Sequence, residues 1–165
     1  MIIAIDGPAA SGKSTTAKLV AEKLKITYLD TGAMYRALTL HLLKSNIDFN
    51  NVDKVSTILD NLSIEMYDYK GRNIIKLNNE DITEKIRSSN VTENVSAVSA
   101  LLIVRQSMVV MQRQIGNKTD CVVEGRDIGT IVFPNADYKF FMIADIKMRA
   151  NRRLNEMNQL GANKT

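Results

Sequence analysis

The chain opens with a short apolar run that is followed at once by a glycine-rich octamer. Residues 2–5 are apolar, and residues 7–14 read Gly-Pro-Ala-Ala-Ser-Gly-Lys-Ser, which has the spacing G-x-x-x-x-G-K-[ST]. The two glycines let the backbone bend until its N–H groups converge on a polyphosphate, and a helical pattern follows from Ala17. The opening therefore predicts a strand, a phosphate-binding loop and a helix in an α/β protein. The alternative is a glycine-rich turn that binds nothing.

Two side chains at the end of the octamer predict its chemistry. Lys13 would reach the outer phosphates as a mobile point charge, and Ser14 would offer its hydroxyl to Mg2+, which keeps most of its water. The predicted phosphate-binding set extends one residue into the helix. It comprises Gly7, Pro8, Ala9, Ala10, Ser11, Gly12, Lys13, Ser14 and Thr15.

Composition limits the classes of protein that fit. With 165 residues, 45% apolar and 24% charged, the chain is typical of one globular domain with room for a small insertion. The net charge of +4 suits an anionic ligand, but no polybasic run indicates nucleic-acid binding. The lone Cys121 lies in a predicted buried strand, so we expect an inert thiol. Because the first residues already form a core strand and no apolar run is long enough to span a membrane, we expect a cytoplasmic protein.

Apolar patterns predict the framework of an α/β core. Four runs read as strands, at residues 2–6, 28–30, 121–124 and 138–144. A long helix carries Leu101, Val104, Met108, Met111 and Ile115 on one stripe. Between the two halves of the core, residues 64–66 and 75–77 alternate around a turn at residues 70–73, which indicates a β-hairpin. We interpret residues 63–98 as an inserted subdomain.

Charged residues gather at the predicted strand ends. Glu124, Arg126 and Asp127 stand where a buried strand ends, and the ligand crevice of an open α/β sheet lies at the carboxyl ends of its strands. These residues therefore predict a functional site beside the phosphate loop. Arg36, near the positive end of a helix, is either a ligand-binding residue or a solvated surface arginine.

A second basic group lies further along the chain. Arg149, Arg152 and Arg153 share one face of a helix that Asp145 would cap, and clustered arginines repel one another unless an anion or solvent relieves them. This spacing predicts an anion site, and the alternative is a solvated basic face.

Several of these stretches together resemble bacterial cytidylate kinase over essentially the whole chain. The matching stretches are residues 5–14, 29–36 (Leu-Asp-Thr-Gly-Ala-Met-Tyr-Arg), 125–130 (Gly-Arg-Asp-Ile-Gly-Thr) and 132–134. The resemblance implies transfer of the γ-phosphoryl group of ATP to CMP or dCMP. It also implies a P-loop kinase fold, a parallel sheet flanked by helices, with an inserted small α+β subdomain that binds the nucleoside monophosphate. The corresponding ranges are 1–44 and 99–148 for the core, 63–98 for the insertion and 149–165 for the start of an arginine-bearing lid.

The resemblance also implies roles for individual residues. The phosphate loop would bind ATP, with Ser14 and, through water, Glu124 holding Mg2+. Thr31 would contact the acceptor ribose, Tyr35 would line the acceptor site, and Arg36 and Arg126 would bind the acceptor phosphate. Ser96, Arg105 and Asp127 would read the cytosine edge. The residues expected to act in catalysis are Lys13, Arg126, Asp127, Arg149, Arg152 and Arg153.

Two departures from the family pattern leave alternatives open. Glu124 stands where relatives often have Asp, and relatives continue for several dozen residues past the end of this chain. The resemblance implies small-molecule partners, no nucleic acid or membrane, and a monomer when the enzyme is complete. The alternatives are another small-metabolite P-loop kinase, for example one acting on shikimate, and a nucleotide-binding module with little turnover.

Overall fold

The computed structural model describes residues 1–69 and 72–159, which form seven strands and six α-helices in this part of the chain. In chain order the elements are β1 Ile2–Asp6, α1 Lys13–Leu24, β2 Thr27–Asp30, α2 Thr31–Lys44, α3 Val52–Asp60, β3 Ile64–Tyr69, β4 Arg72–Leu77, β5 Glu80–Asp81, α4 Ser89–Ala100, α5 Leu102–Gly116, β6 Cys121–Gly125, β7 Tyr138–Phe141 and α6 Ile146–Gln159. A 3-10 helix covers Lys85–Arg87 and a π-helix covers Ile128–Val132.

A parallel four-stranded sheet carries the functional loops. Its order is β2, β6, β1, β7, and every neighbouring pair is parallel. The two central strands β1 and β6 are buried along almost their whole length, which explains their continuous apolar runs. All four predicted strands are confirmed, and with helices joining the parallel strands so is the predicted α/β fold class.

The last strand of this sheet ends earlier than the sequence predicted. We expected a strand up to residue 144, whereas β7 ends at Phe141. The reason is the length of its partner: β1 ends at Asp6, whose carbonyl accepts the last hydrogen bond of this pair from the Met142 N–H at 2.7 Å. Beyond that residue β7 has no strand to pair with, because β1 turns into the phosphate loop.

The chain divides into two compact units. The first comprises Met1–Thr31 and Gln112–Thr165, and the second comprises Gly32–Met111. In the second unit Ala33 and Ala37 of α2 belong to the same buried apolar cluster as Ile75 and Leu77 of the hairpin strand β4. The helix therefore groups with the hairpin, and the bounds differ from the predicted ranges. The assignment of those ranges to a kinase core, a monophosphate-binding insertion and a lid stays a prediction.

The predicted hairpin is confirmed, with a shorter turn. β3 and β4 pair in antiparallel fashion from Ile64 opposite Leu77 to Tyr69 opposite Arg72. Arg72 and Asn73, which the sequence placed in the turn, belong to β4. The remaining predicted turn residues, Lys70 and Gly71, lie outside the described residues.

The predicted long helix begins at Leu102, because Leu101 separates it from α4. The axes of α4 and α5 meet there at 95°. Val104 and Met108 are fully buried, as the stripe predicted. Among the described residues, no single helix is long and apolar enough to cross a membrane; α4 and α5 pass such a test of length and composition only when taken together across their bend.

Candidate functional site

The backbone of the phosphate loop takes a path that few residues tolerate. Gly7 and Gly12 have φ angles of 151° and 97°, and Ala10 also has a positive φ of 58°. A Cβ atom on Gly7 would lie 2.3 Å from the carbonyl oxygen of Met142. Glycine is therefore required at residue 7 both for its conformation and for the close approach of a neighbouring backbone. The loop leads directly into the N-terminus of α1 at Lys13, the arrangement that binds anions.

A buried hydroxyl inside the loop fits a bound phosphate. Ser11 is 5% exposed, and its Oγ has no hydrogen-bond partner among the described residues. Buried hydroxyls are nearly always hydrogen bonded, so an unsatisfied one calls for a ligand or water. The residues of this loop thus fit the phosphates of a nucleotide.

Three cationic side chains bind three consecutive carbonyls of the loop. Lys13 Nζ donates to the Pro8 carbonyl at 2.9 Å, Arg149 Nε donates to the Ala9 carbonyl at 3.0 Å, and Arg152 Nη1 contacts the Ala10 carbonyl at 3.4 Å. Burial lowers the pKa of Lys13, and the nearby Glu124 opposes that effect. The start of α6 therefore lies against the loop, with positive charge concentrated on it.

Arg149 is half-buried in this arrangement, whereas Arg152 is exposed. Asp145 caps α6 as predicted, since its Oδ1 accepts hydrogen bonds from the N–H groups of Lys147 and Met148 at 2.9 and 3.2 Å. Arg153 is half-buried on the same helix.

Glu124 lies at the end of β6 and is only 4% exposed. Its Oε2 accepts a hydrogen bond from Ser14 Oγ at 2.9 Å, and its Oε1 accepts one from the hydroxyl of Tyr28. Burial, together with the charge of Asp30, raises the pKa of Glu124, while the two hydrogen bonds and Lys13 lower it. An oxygen-rich pair of Ser14 and Glu124 suits Mg2+, which takes few protein ligands. Within the described ranges, no three His, Cys, Asp or Glu residues approach closely enough to hold a metal themselves.

Sequence reasoning missed the role of Tyr28. Burial raises the pKa of its hydroxyl, which therefore stays protonated and donates to Glu124. A tyrosine in a predicted core strand needs a partner for its O–H group, and that requirement was the available signal. The partner itself lies 96 residues away in sequence, so no local pattern could name it.

The turn after β6 carries Arg126, which is exposed, and Asp127, which is partly buried. The Asp127 carbonyl accepts from the Ile131 and Val132 N–H groups at 2.8 and 3.2 Å, and thereby starts the π-helix. Short π-helical segments are frequent at functional sites. Gly125 has no room for a side chain, because a Cβ there would lie 2.6 Å from Ile128 Cδ1.

Thr31 also belongs to this end of the sheet. It is buried, and its Oγ1 donates to the carbonyl of Glu124 at 2.7 Å. Cys121, at the opposite end of β6, is buried as predicted; burial raises the pKa of its thiol to about 11, so it is not a nucleophile at neutral pH.

The second unit holds the other predicted acceptor residues. Arg36 is half-buried, and its Nη1 donates to Thr92 Oγ1 at 3.0 Å and to the Ile86 carbonyl at 3.4 Å. Thr92 is a contact that the sequence did not predict. Tyr35 lies beside Arg36 on α2 and is half-buried, whereas Ser96 on α4 and Arg105 on α5 are exposed.

Comparison with known proteins identifies the family. Residues 3–165 match the family of cytidylate kinases. The chain is 52% identical over its whole length to the cytidylate kinase of Clostridioides difficile (strain 630) and covers 74% of that protein. It is 49% identical over 94% of its length to the cytidylate kinase of Fusobacterium nucleatum, of which it covers 70%. A bifunctional pantoate ligase/cytidylate kinase of Prochlorococcus marinus (strain AS9601) is 49% identical over 95% of this chain, which covers 31% of that relative.

Fold, loop and relatives agree with one another. The parallel sheet with a phosphate loop between β1 and α1 is the P-loop kinase fold that the sequence predicted. The chain belongs to the cytidylate kinase family, a family of nucleotide-binding kinases.

Proposed function

We propose that the protein transfers the γ-phosphoryl group of ATP to CMP or dCMP, giving ADP and CDP or dCDP. The observation that carries this proposal is the arrangement of Lys13, Arg149 and Arg152 around one phosphate loop. The choice of CMP or dCMP as acceptor rests on family membership, because the relatives are named cytidylate kinases.

The phosphate loop would bind the donor. The residues from Gly7 to Thr15 would surround the ATP phosphates, with the orphaned hydroxyl of Ser11 as one donor. Mg2+, when bound, would neutralise charge on the donor phosphates, and Ser14 and, through water, Glu124 would hold it. Because Ser14 donates its proton to Glu124, the lone pairs of its oxygen remain available to a cation.

Phosphoryl transfer needs alignment and charge neutralisation more than covalent help. Lys13, Arg149 and Arg152 now donate to neutral carbonyls, and a phosphate oxygen would be a stronger acceptor for each of them. We therefore expect these three cations to exchange the loop carbonyls for phosphate oxygens when ATP binds, and we expect Arg153, on the same helix, to bind the phosphates with them. That exchange would concentrate their charge on the migrating group.

The acceptor residues are assigned unit by unit. In the first unit, Arg126 would bind the acceptor phosphate, Asp127 the cytosine edge and Thr31 the ribose. In the second unit, the planar guanidinium of Arg36, oriented by Thr92, would bind a phosphate oxygen, with Tyr35 beside it. Ser96 and Arg105 would read the cytosine edge. The partners are thus small molecules, and we propose that the protein acts as a cytoplasmic monomer.

The direct test is an acceptor panel. Wild-type protein with Mg-ATP is offered CMP, dCMP, UMP, AMP and shikimate, and the products are detected separately. We expect preferential formation of CDP and dCDP, and we expect Asp127→Asn to weaken that preference. Asp137→Asn, at an exposed residue directly before β7, should leave it unchanged. Equal or better turnover of another acceptor would instead favour a different small-metabolite kinase. Binding of ATP and CMP without any diphosphate product would favour a nucleotide-binding module.

A further inference from the structure

Asp6, the last residue of β1, is a buried carboxylate outside the predicted site residues. It is 7% exposed, and its two oxygens each accept one backbone hydrogen bond. Oδ1 accepts from the Ile128 N–H at 2.7 Å and Oδ2 accepts from the Gly129 N–H at 2.8 Å. These are the first two N–H groups of the π-helix that follows Arg126 and Asp127.

The main chain of Asp6 connects the end of β1 with the strand β7 and with the phosphate loop. Its carbonyl accepts the Met142 N–H at 2.7 Å, and the next residue, Gly7, begins the phosphate loop. One residue therefore connects the start of the loop, through its backbone, with the turn after β6, through its side chain. A charged acceptor makes stronger hydrogen bonds than a neutral one, so the turn is held firmly.

Gly129, which donates one of these two hydrogen bonds, lies directly beside the carboxylate. A Cβ on Gly129 would lie 3.4 Å from Asp6 Oδ2 and 3.2 Å from Lys139 Cδ. A methyl group at residue 129 would thus touch the carboxylate at an ordinary van der Waals distance and would require the Lys139 side chain to shift.

We propose that Asp6 is a positioning residue that fixes Arg126 and Asp127 relative to the phosphate loop. This inference rests on the proposed function, in which Arg126 and Asp127 bind the acceptor while the loop binds ATP. In this role the buried carboxylate of Asp6 aligns the phosphoryl acceptor with the phosphoryl donor ATP. Asp6 contacts neither nucleotide in this account and acts through the turn.

The test compares Asp6→Asn with a matched control. An amide in place of the carboxylate is the same size, but its NH2 group would face a backbone N–H, so one of the two hydrogen bonds is lost. Asp137→Asn is the control, because Asp137 Oδ2 accepts the Ile2 N–H at 2.6 Å at the opposite, exposed end of β1. Each variant is assayed for kcat and for the KM values of CMP and ATP, alongside its unfolding temperature.

We expect Asp6→Asn to raise the KM for CMP about tenfold, the scale of one charge-assisted hydrogen bond, while the KM for ATP changes much less. Asp137→Asn should leave both KM values at the wild-type level. Gly129→Ala leaves Asp6 in place and should raise the KM for CMP in the same direction by a smaller factor. It keeps the test decisive where Asp6→Asn does not fold.

Combination with Arg126→Ala separates positioning from stability. If Asp6 acts through the turn, Asp6→Asn should add little to the KM for CMP once Arg126 is removed, because coupled residues are not additive. Equal rises in both KM values, or full additivity with Arg126→Ala in an active enzyme, would overturn the inference and leave the proposed function standing. Wild-type protein without CMP turnover would overturn the proposed function and the inference with it.

Discussion

Two glutamates in this molecule each accept hydrogen bonds from two donors, yet their environments shift their pKa values in opposite directions. Glu124, in the first unit, is 4% exposed between Ser14 and Tyr28, and burial raises its pKa. Glu80, in the second unit, has a side chain that is 47% exposed between Lys85 and Lys44, and those lysines lower its pKa. A carboxylate that is buried although burial raises its pKa indicates a ligand site, whereas a carboxylate paired with lysines on the surface is ordinary.

The largest effect should come from the cation of the phosphate loop. Lys13→Met removes a half-buried charge, and we expect kcat to fall about 100- to 1,000-fold, the scale of losing one preorganised electrostatic contact. Lys44→Met is the matched control. It removes a lysine that donates a hydrogen bond to Glu80, and it should leave kcat unchanged. Steady-state kinetics with CMP measure both. Similar kcat values for the two variants would contradict a catalytic role for Lys13 in the phosphate loop.

Glu124→Gln should reduce activity while keeping the fold. Ser14 and Tyr28 can rotate their hydroxyls to suit an amide, so we expect a folded protein whose activity falls about 10- to 100-fold and whose Mg2+ requirement shifts upward. Without metal its unfolding free energy at neutral pH should be higher than that of the wild type, because a buried charge is removed. Urea unfolding and Mg2+ titration of activity measure the two effects. Glu80→Gln is the control, and a shifted Mg2+ requirement there would contradict the assignment.

Tyr28→Phe removes one of the two hydrogen-bond donors to Glu124. It leaves Oε1 of Glu124 buried without a partner, so the unfolding free energy should fall by about 1–3 kcal/mol. Removing a donor from Glu80 by Lys85→Met should have no measurable effect, since water replaces it. Equal stability of Tyr28→Phe and wild type in urea unfolding would mean that the tyrosine hydroxyl does not support Glu124.

The smallest effect is a pH dependence of stability in metal-free buffer. The pKa of Glu124 is raised above its ordinary value of 4.5, so between these two values the folded state binds more protons than the unfolded state. Stability due to this group therefore increases as the pH falls through the raised pKa. The advantage of Glu124→Gln over the wild type should shrink as the pH is lowered from neutral toward that ordinary value of 4.5. If the stability advantage of Glu124→Gln over the wild type instead grows as the pH falls, the pKa of Glu124 is lowered and not raised.

Glu80 should show the opposite sign. Its pKa is lowered, so its contribution to stability is present above 4.5 and is lost as the pH falls through the lowered pKa. Because the group is exposed, this contribution should disappear at high salt.

Sequence patterns predicted the parts of this fold that are governed by local rules. The buried runs of β1 and β6, the hairpin and the phosphate loop each have a pattern contained in a few residues, and the structure has them all. The end of β7 could not be predicted in this way, because it depends on where β1 stops. The grouping of α2 with the hairpin likewise depends on packing between distant residues.

The residues of the candidate site fall into the same two groups, those that a local pattern predicts and those that depend on distant partners. Lys13, Ser14 and Glu124 were found from motif and strand end, and the structure places them together. Asp6 and Tyr28 were missed because their partners lie 122 and 96 residues away in the chain. Their only local signal was a polar group in a buried strand, which calls for a partner without naming it.

The most direct test of this account measures CDP formation from Mg-ATP and CMP by wild type, Glu124→Gln and Glu80→Gln in one assay. We predict CDP from wild type and Glu80→Gln at equal rates, and a rate at least about tenfold lower from Glu124→Gln. Equal rates from the two variants, or no CDP from the wild type, would contradict the claim that the buried carboxylate beside the phosphate loop belongs to a cytidylate kinase active site.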